Sequence, residues 1–176
     1  GASLRRPMVL VVGADPVLDA IAYVRDNASR DARRGGRAVL FDQDHGPATY
    51  GLADLLARQF DKLILITPRP GIGQNVNYCS AIGVHRRLHQ AGVDILPAHD
   101  LIDYRGGDVI CRNVFTGADK ILADIGAVVF VTPRQANDTL EDDLFGGIPV
   151  HRIGDCLSPR NLMAAIHGGH IIGASL

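Results

Sequence analysis

The sequence is poor in several things, and each shortage removes a class of protein. Its three cysteines, Cys79, Cys111 and Cys156, are scattered, which excludes a disulfide framework, a close metal pair and the cysteine spacing of an iron-sulfur cluster. They fit a reducing cytosol, so a cytoplasmic location is expected. No apolar run approaches the length that spans a bilayer, and the first residues lack a basic region followed by an apolar one. Neither a membrane helix nor a secretory leader is therefore expected. Net charge is close to absent, at -1, so there is no long-range field of the kind a nucleic-acid surface needs. Lys occurs only at Lys62 and Lys120 and Glu only at Glu141. Arg and Asp supply the remaining charge, a bias that carries no functional reading.

What is present suits one α/β core. The chain has 176 residues, 47% hydrophobic and 21% charged, enough for a single core or a core with a small appendage. Its 20 glycines fit strands that feed helices through tight turns. Met8 to Val12 reads as a buried strand leaving through Gly13. Pro16 can open a helix whose face carries Val17, Ile21 and Val24, with Ala20 and Ala28 beside them. Ser29 to Arg37, with five charged residues and Gly35-Gly36, reads either as a linker or as a charged surface loop.

From Arg37 the order becomes regular. Strands are expected at Ala38 to Phe41, Leu63 to Thr67 and Val93 to Leu96. Helices are expected at Pro47 to Phe60, with Leu52, Leu55, Leu56 and Phe60 inward, and at Gln74 to Ala91, closed by Gly92. Such a series implies a parallel sheet with right-handed crossovers. A hairpin follows, His99 to Tyr104 and Val109 to Phe115 around Arg105-Gly106-Gly107, and Ile121 to Ile125 can pair with it. Ala127 to Val131 suits a central strand, Pro133 to Asn137 a loop, and Leu140 to Leu144 a short helix. The expected fold is a three-layer Rossmann-like domain with a mostly parallel central sheet and an added β-hairpin.

The last stretch carries the leading site. Val150 to Ile153 reads as a short strand, Gly154-Asp155 as a tight turn, and Ser158-Pro159 as a helix start with Ser as cap and Pro at the first helical position. A strand ending in Gly-Asp ahead of a helix aims backbone N–H groups and one carboxylate at a single point. That suits a pyrophosphate on the amides and a hydroxyl on the Asp.

Ile153-Gly154-Asp155 followed by Ser158-Pro159-Arg160 and a helix with paired glycines resembles the closing segment of the trimethylamine dehydrogenase, histamine dehydrogenase, N-methylproline demethylase and dienoyl-CoA reductase family, of the NADH:flavin oxidoreductase type. Gly36 to Asp44, Tyr50 to Leu56, Leu65-Ile66-Thr67, Arg86-Arg87-Leu88, Ala91-Gly92-Val93 and Val129 to Arg134 resemble its earlier elements in order. The resemblance implies a domain of the disulfide-reductase NADPH type (35–148), flanked by segments of an adjoining FAD-like domain (1–34 and 149–176). It implies a parent oxidoreductase of the amine dehydrogenase, demethylase or enoate reductase type, with FMN and a four-iron four-sulfur cluster in a barrel absent from this chain. It also implies that the chain is not catalytic alone. Implied partners are the barrel and FAD-like portions or another subunit, with a second copy of the chain as a further candidate. The implied cofactor-binding residues are Gly154 and Asp155, supported by the backbone near Arg160 and Asn161, for ADP or FAD. The first strand, glycine loop and helix of an FAD domain would precede Met8, so tight flavin binding by this polypeptide alone is not expected. Asp155 could equally close a turn and cap amides.

A second nucleotide site is weaker. After Ala38 to Phe41 stand Asp42, Asp44, Gly46, Pro47 and Gly51, which is not the G-x-G-x-x-G fingerprint, and two carboxylates stand where phosphate charge would settle. This layer is read as retained for packing. Against that, Arg69 after the next strand, with Gly71 and Gly73, could meet a ribose phosphate and favour NADPH. The different-class alternative is a non-catalytic subunit-interaction domain with a vestigial nucleotide cleft. His85 and His89 share a helix face at metal-ligand spacing without a recognised third ligand, and Ser80 and Ser158 lack a nucleophile-elbow context.

Overall fold

The computed structural model describes residues 3–4, 17–29, 32–137 and 150–176. The chain divides into two compact units, Gly1–Arg5 with Pro133–Leu176, and Arg6–Thr132. Each is described by itself. The expected strand at Met8 to Val12 and the helix at Leu140 to Leu144 lie outside the described residues.

In the first unit, β1 (Ser3–Leu4) pairs antiparallel with β10 (Arg134–Gln135), so the expected loop at Pro133 to Asn137 contains a short strand. The larger unit holds β2 (Leu18–Asp19), α1 (Ala20–Asn27), β3 (Arg37–Asp42), α2 (Pro47–Gln59), β4 (Lys62–Ile66), α3 (Tyr78–Gln90) and β5 (Asp94–Leu96). After them come β6 (His99–Arg105), β7 (Asp108–Asn113), β8 (Asp119–Leu122) and β9 (Ile125–Val131). The central sheet runs β2-β9-β3-β4-β5, and every neighbouring pair in it is parallel. Sequence order moves from β3 outward through β4 to β5, then returns to β9 on the other side of β3. The turn leaving β3 therefore lies at a topological switch point, where open α/β sheets form their ligand crevice.

Strand alternation divides the core into layers. Val39 and Phe41 of β3, Ile64 and Ile66 of β4, and Val128 and Phe130 of β9 cluster with Leu101, Tyr104, Val109, Cys111 and Leu122 of the antiparallel sheet β6-β7-β8. The alternate residues Ala38, Leu40, Leu63 and Leu65 are also fully or almost fully buried, on the face against which α2 packs. Continuous apolar runs follow from strands covered on both sides. The third strand of the meander, β8, pairs with β7 at Val109↔Leu122 and Ile110↔Ile121. The β6–β7 turn places Gly106 and Gly107 at φ 60° and 82°, a region open to glycine without a Cβ penalty.

Helix α2 buries Leu52, Leu55, Leu56 and Phe60 as its spacing predicts, and Gly92 leaves α3 at φ 67°. Helix α1 departs from expectation. Its cap is Asp19, whose carboxylate accepts the Ala22 amide at 3.0 Å, and its buried residues are Ala20, Tyr23 and Asn27. Ile21 and Val24 are exposed, because pairing of Leu18 and Asp19 with Val129 and Phe130 of β9 sets the rotation of the helix that follows. Tyr23 donates to Gln59 Oε1 at 2.6 Å, Gln59 Nε2 donates to the Asn27 carbonyl at 3.3 Å, and Arg34 donates to Asn27 Oδ1. Residues 32–36 are tied to the same helix end: the Arg34 and Gly35 amides donate to the Gln59 carbonyl at 2.7 and 3.2 Å, and the Gly36 amide to Asp61 at 2.7 Å.

Helix α3 starts at Tyr78 rather than Gln74, with Asn77 Oδ1 accepting the Cys79 amide at 3.0 Å. In the first unit the residues from Val150 to Ile153 form no strand. Gly154–Cys156 is a 3-10 turn, and α4 (Leu162–Ser175) begins after Asn161, not at Ser158-Pro159. The Ser158 amide donates to the Gly154 carbonyl at 3.0 Å, so Ser158 belongs to the turn and Asn161 Oδ1 caps the Ala164 amide at 2.9 Å. No helix among the described residues is long and apolar enough to cross a membrane.

Candidate functional site

Two places answer to the sequence reading, one in each unit. The first lies at the carboxyl end of β3. Asp42 is fully buried, and its Oδ1 accepts the amides of Asp44 at 3.1 Å and His45 at 2.8 Å. Its Oδ2 accepts the Tyr50 hydroxyl at 3.0 Å. Asp44 Oδ2 in turn accepts the Gly46 amide at 3.1 Å. A Cβ at Gly46 would meet that Asp44 carboxylate, so a larger residue there would displace the Asp44 side chain from the Gly46 amide. Short polar side chains taking amides two and three residues on form a self-contained turn.

The loop after β4 closes over this turn. Tyr50 Oη accepts the Gly73 amide at 2.5 Å while donating to Asp42. The Asn75 amide donates to the His45 carbonyl at 3.2 Å, and Asn75 Nδ2 to the Asp44 carbonyl at 2.5 Å. Thr67 Oγ1 lies 2.9 Å from His45 Nε2 and accepts the Arg69 amide at 3.2 Å. The hydroxyl has one donor and two acceptor sites, so beside that amide it can either donate to Nε2 or accept from it, according to the His45 tautomer. Nδ1 makes no hydrogen bond among the described residues and faces Asp42 Oδ2 at 3.6 Å. Arg69, the sequence candidate for a ribose phosphate, is half-buried, and its guanidinium donates to Gln74 Oε1 at 3.2 Å.

Burial dominates the electrostatics here. It raises the Asp42 carboxyl above the usual carboxylate range, against the His45 amide, the His45 ring and Tyr50, which favour the charged form. Burial also holds His45 below 6.5; Asp42 opposes this, Arg69 adds to it, and Asp44 opposes it. Tyr50 is pushed upward, first by burial and then by Asp42. The linkage signs differ. Below 6.5 the unfolded chain takes a proton on His45 that the folded chain refuses, so stability falls with acid by at most about 1.4 kcal/mol per pH unit. Asp42 acts oppositely: between its raised value and 3.8 the folded state takes the proton first, and acid favours folding. The His45 loss therefore accumulates as pH falls from 6.5 toward its lowered folded value, and Asp42 offsets it as pH falls from its raised value toward 3.8. His45→Asn is expected to remove the first part of that slope in urea midpoints measured from about pH 7 to about pH 5. Asn suits the φ of 59° at this position. An unchanged slope would place the proton uptake elsewhere.

The second place is the turn before α4. Gly154 has φ 65°, and its carbonyl accepts the Leu157 and Ser158 amides at 3.1 and 3.0 Å. The Asp155 carboxylate is 39% exposed, with Arg134 Nη1 3.8 Å from its Oδ2. It is thus open enough to accept a ligand hydroxyl. Arg160 is exposed. Asn161 contributes through its side chain, as the helix cap, which leaves the Leu162 and Met163 amides as the free donors of the first turn. Gly154, Asp155 and Asn161 are thus gathered at one end of α4.

His45, Tyr50, Thr67 and Asn75 were not singled out from the sequence. The available signal was an apolar strand ending in Asp-x-Asp-His-Gly, a run of turn-forming side chains. Cys111 is buried, which pushes its thiol up to about 12 and makes it inert. His85 and His89 lie with ring centroids 6.2 Å apart. Among the described residues no group of three or more His, Cys, Asp or Glu is placed to hold a metal ion.

The fold is a three-layer α/β Rossmann-like one with a mostly parallel central sheet, and it resembles the FAD- and NAD(P)-binding domains of reductases. Thioredoxin reductase of Lactococcus lactis shares the fold, with a TM-score of 0.70 at 17% identity, over 99% of this chain and 62% of that one. More specifically, the chain is a Rossmann-like domain related to the trimethylamine and histamine dehydrogenase type of amine oxidoreductase. Histamine dehydrogenase from Rhizobium sp. 4-9 superposes with a TM-score of 0.84 at 26% identity, over 100% of this chain and 29% of that one. The N,N-dimethylglycine/sarcosine dehydrogenase of Chromohalobacter salexigens is 46% identical over 169 residues, covering 76% of this chain and 24% of that protein. The chain therefore spans under a third of the length of these amine dehydrogenases. No protein-family model matches it.

Proposed function

We propose that the chain is the carboxyl-terminal dinucleotide-binding-like domain of a larger oxidoreductase that oxidises a small N-methylated amine with FMN and a four-iron four-sulfur cluster held in a separate barrel. On this reading the domain supplies architecture and an adenine-nucleotide contact at Gly154, Asp155 and Asn161, while the amine chemistry occurs elsewhere. Residues 35–148 are the Rossmann-like core, and residues 1–34 and 149–176 are segments of the adjoining FAD-like domain. Grouping of Gly1–Arg5 with Pro133–Leu176 supports the pairing of the two chain ends, whereas β2 and α1 lie with the core in the unit Arg6–Thr132.

The observation that carries the reading is α4. It is built from Leu162, Met163, Ile166, Ile171 and small residues, yet none of its residues is buried, and those four are all more than half exposed. An apolar helix with an uncovered surface fits one wall of a domain whose remainder lies over it. The same surface would serve the second reading, a subunit-interaction domain with a vestigial cleft, and ligand binding separates the two. Calorimetric titration with ADP, FAD, NADPH and NADH is expected to give micromolar binding of an adenine nucleotide that Asp155→Ala abolishes. NADPH binding that survives this change but is lost in Arg69→Ala would move the site to the β4 loop. No binding of any of the four would leave the interaction domain as the better account.

A further inference from the structure

We infer that Asp42 is the residue that excludes dinucleotide phosphates from the switch-point crevice, its carboxylate standing as a built-in anion where a pyrophosphate would sit. This rests on the Rossmann-like reading of the fold and is independent of the site at Asp155. A pyrophosphate at such a crevice is held mainly by backbone N–H groups between the strand and the helix that follows. In this chain every one of them is engaged. The Asp44 and His45 amides donate to Asp42 Oδ1, the Gly46 amide donates to Asp44 Oδ2, and Pro47 has none. In the opposing loop two amides are engaged as well, that of Gly73 by Tyr50 and that of Asn75 by the His45 carbonyl, and one guanidinium nitrogen of Arg69 donates to Gln74.

An incoming phosphate would meet the part-buried Asp44 carboxylate and the charge of the fully buried Asp42 beneath it, with no free donor between residues 44 and 47. Like charge at that separation is strongly unfavourable in a dry site. Missing glycines alone would not close the crevice, because backbone amides can bind an anion whatever side chain they carry. The carboxylate that occupies them is what closes it. His45 completes the plug by filling the space beneath the turn, fully buried against Thr67.

The test reads the Asp44, His45 and Gly46 amide signals by nuclear magnetic resonance during titration with inorganic pyrophosphate and with NADPH. In the unaltered chain they are expected to stay in place at millimolar ligand. In the double variant Asp42→Gly with Asp44→Ala, pyrophosphate is expected to bind on the order of tenfold tighter or more, with these amides shifting. Shifts at these amides in the unaltered chain would overturn the inference, and that reading needs no variant to fold. A folded double variant with no gain in anion binding would overturn it as well. Loss of adenine-nucleotide binding in Asp155→Ala bears on the other site and leaves these signals unaffected, so the two readings fail separately.

Discussion

Phe41→Ala is expected to cost about 3–5 kcal/mol of stability, seen as a lower urea midpoint with little change in slope. Phe41 is fully buried in the middle strand of the parallel sheet and meets Phe130 of the neighbouring strand edge to face, with centroids 5.2 Å apart at 79°. Truncation removes most of a ring from the layer between the parallel sheet and the antiparallel meander, where Leu101, Val109 and Leu122 cannot collapse inward without moving their own strands. Loss of the aromatic pair adds about 0.5–1.5 kcal/mol to the transfer and cavity costs. Phe41→Leu keeps most of the volume and is expected to cost no more than about half as much. A cost for Phe41→Ala below about 1 kcal/mol would mean that the two sheets do not pack on each other in solution.

The parts of the fold legible in the sequence were those in which one physical demand dominated. Strands β3, β4 and β9 are covered on both faces, so each reads as an unbroken apolar run. Helix α2 has one buried face, so Leu52, Leu55, Leu56 and Phe60 recur at helical spacing. Gly92 and Gly106-Gly107 occupy positive-φ turns that favour glycine. Where two local signals competed, sequence reasoning chose wrongly. Pro16 and Asp19 are both helix starters, and α1 begins after Asp19 with Tyr23 and Asn27 inward in place of Ile21 and Val24. Ser158 and Asn161 can each cap a helix, and the carbonyl of Gly154 decides by drawing the Ser158 amide into the preceding turn.

The crevice illustrates the same limit in its chemistry. Asp42 and Asp44 read as unfavourable to phosphate, from charge alone. What they do instead depends on Tyr50, Gly73 and Asn75, which lie 8 to 33 residues away and meet only when the parallel sheet is assembled. No spacing rule connects them. At the other place, Gly154 and Asp155 were legible because a turn glycine and its neighbour are local by nature, whereas the pairing of Asp155 with Arg134 requires the fold.

Tyr50→Phe is expected to cost roughly 2–4 kcal/mol, a large effect for the removal of one oxygen. That hydroxyl donates to Asp42 Oδ2 and accepts the Gly73 amide, so its removal takes a hydrogen bond from each of two buried groups, one of them a carboxylate. Burial and the nearby Asp42 hold the phenol well above its ordinary titration range, so the hydroxyl remains a donor at any pH at which the chain is folded. Phe fills the same space, which means the cost measures the polar contacts and not a cavity. Hydrogen exchange gives the local readout: protection of the Gly73 amide should drop sharply, while amides in β3 and β4 lose only what the global destabilisation removes. The consequence extends to ligand exclusion, because Tyr50 joins the turn after β3 to the loop after β4. With the tie cut, that loop can open while Asp42 still holds the Asp44 and His45 amides, so Tyr50→Phe should loosen the crevice without gaining pyrophosphate affinity. A Tyr50→Phe protein that did bind pyrophosphate would show that the loop, and not the Asp42 carboxylate, keeps phosphates out.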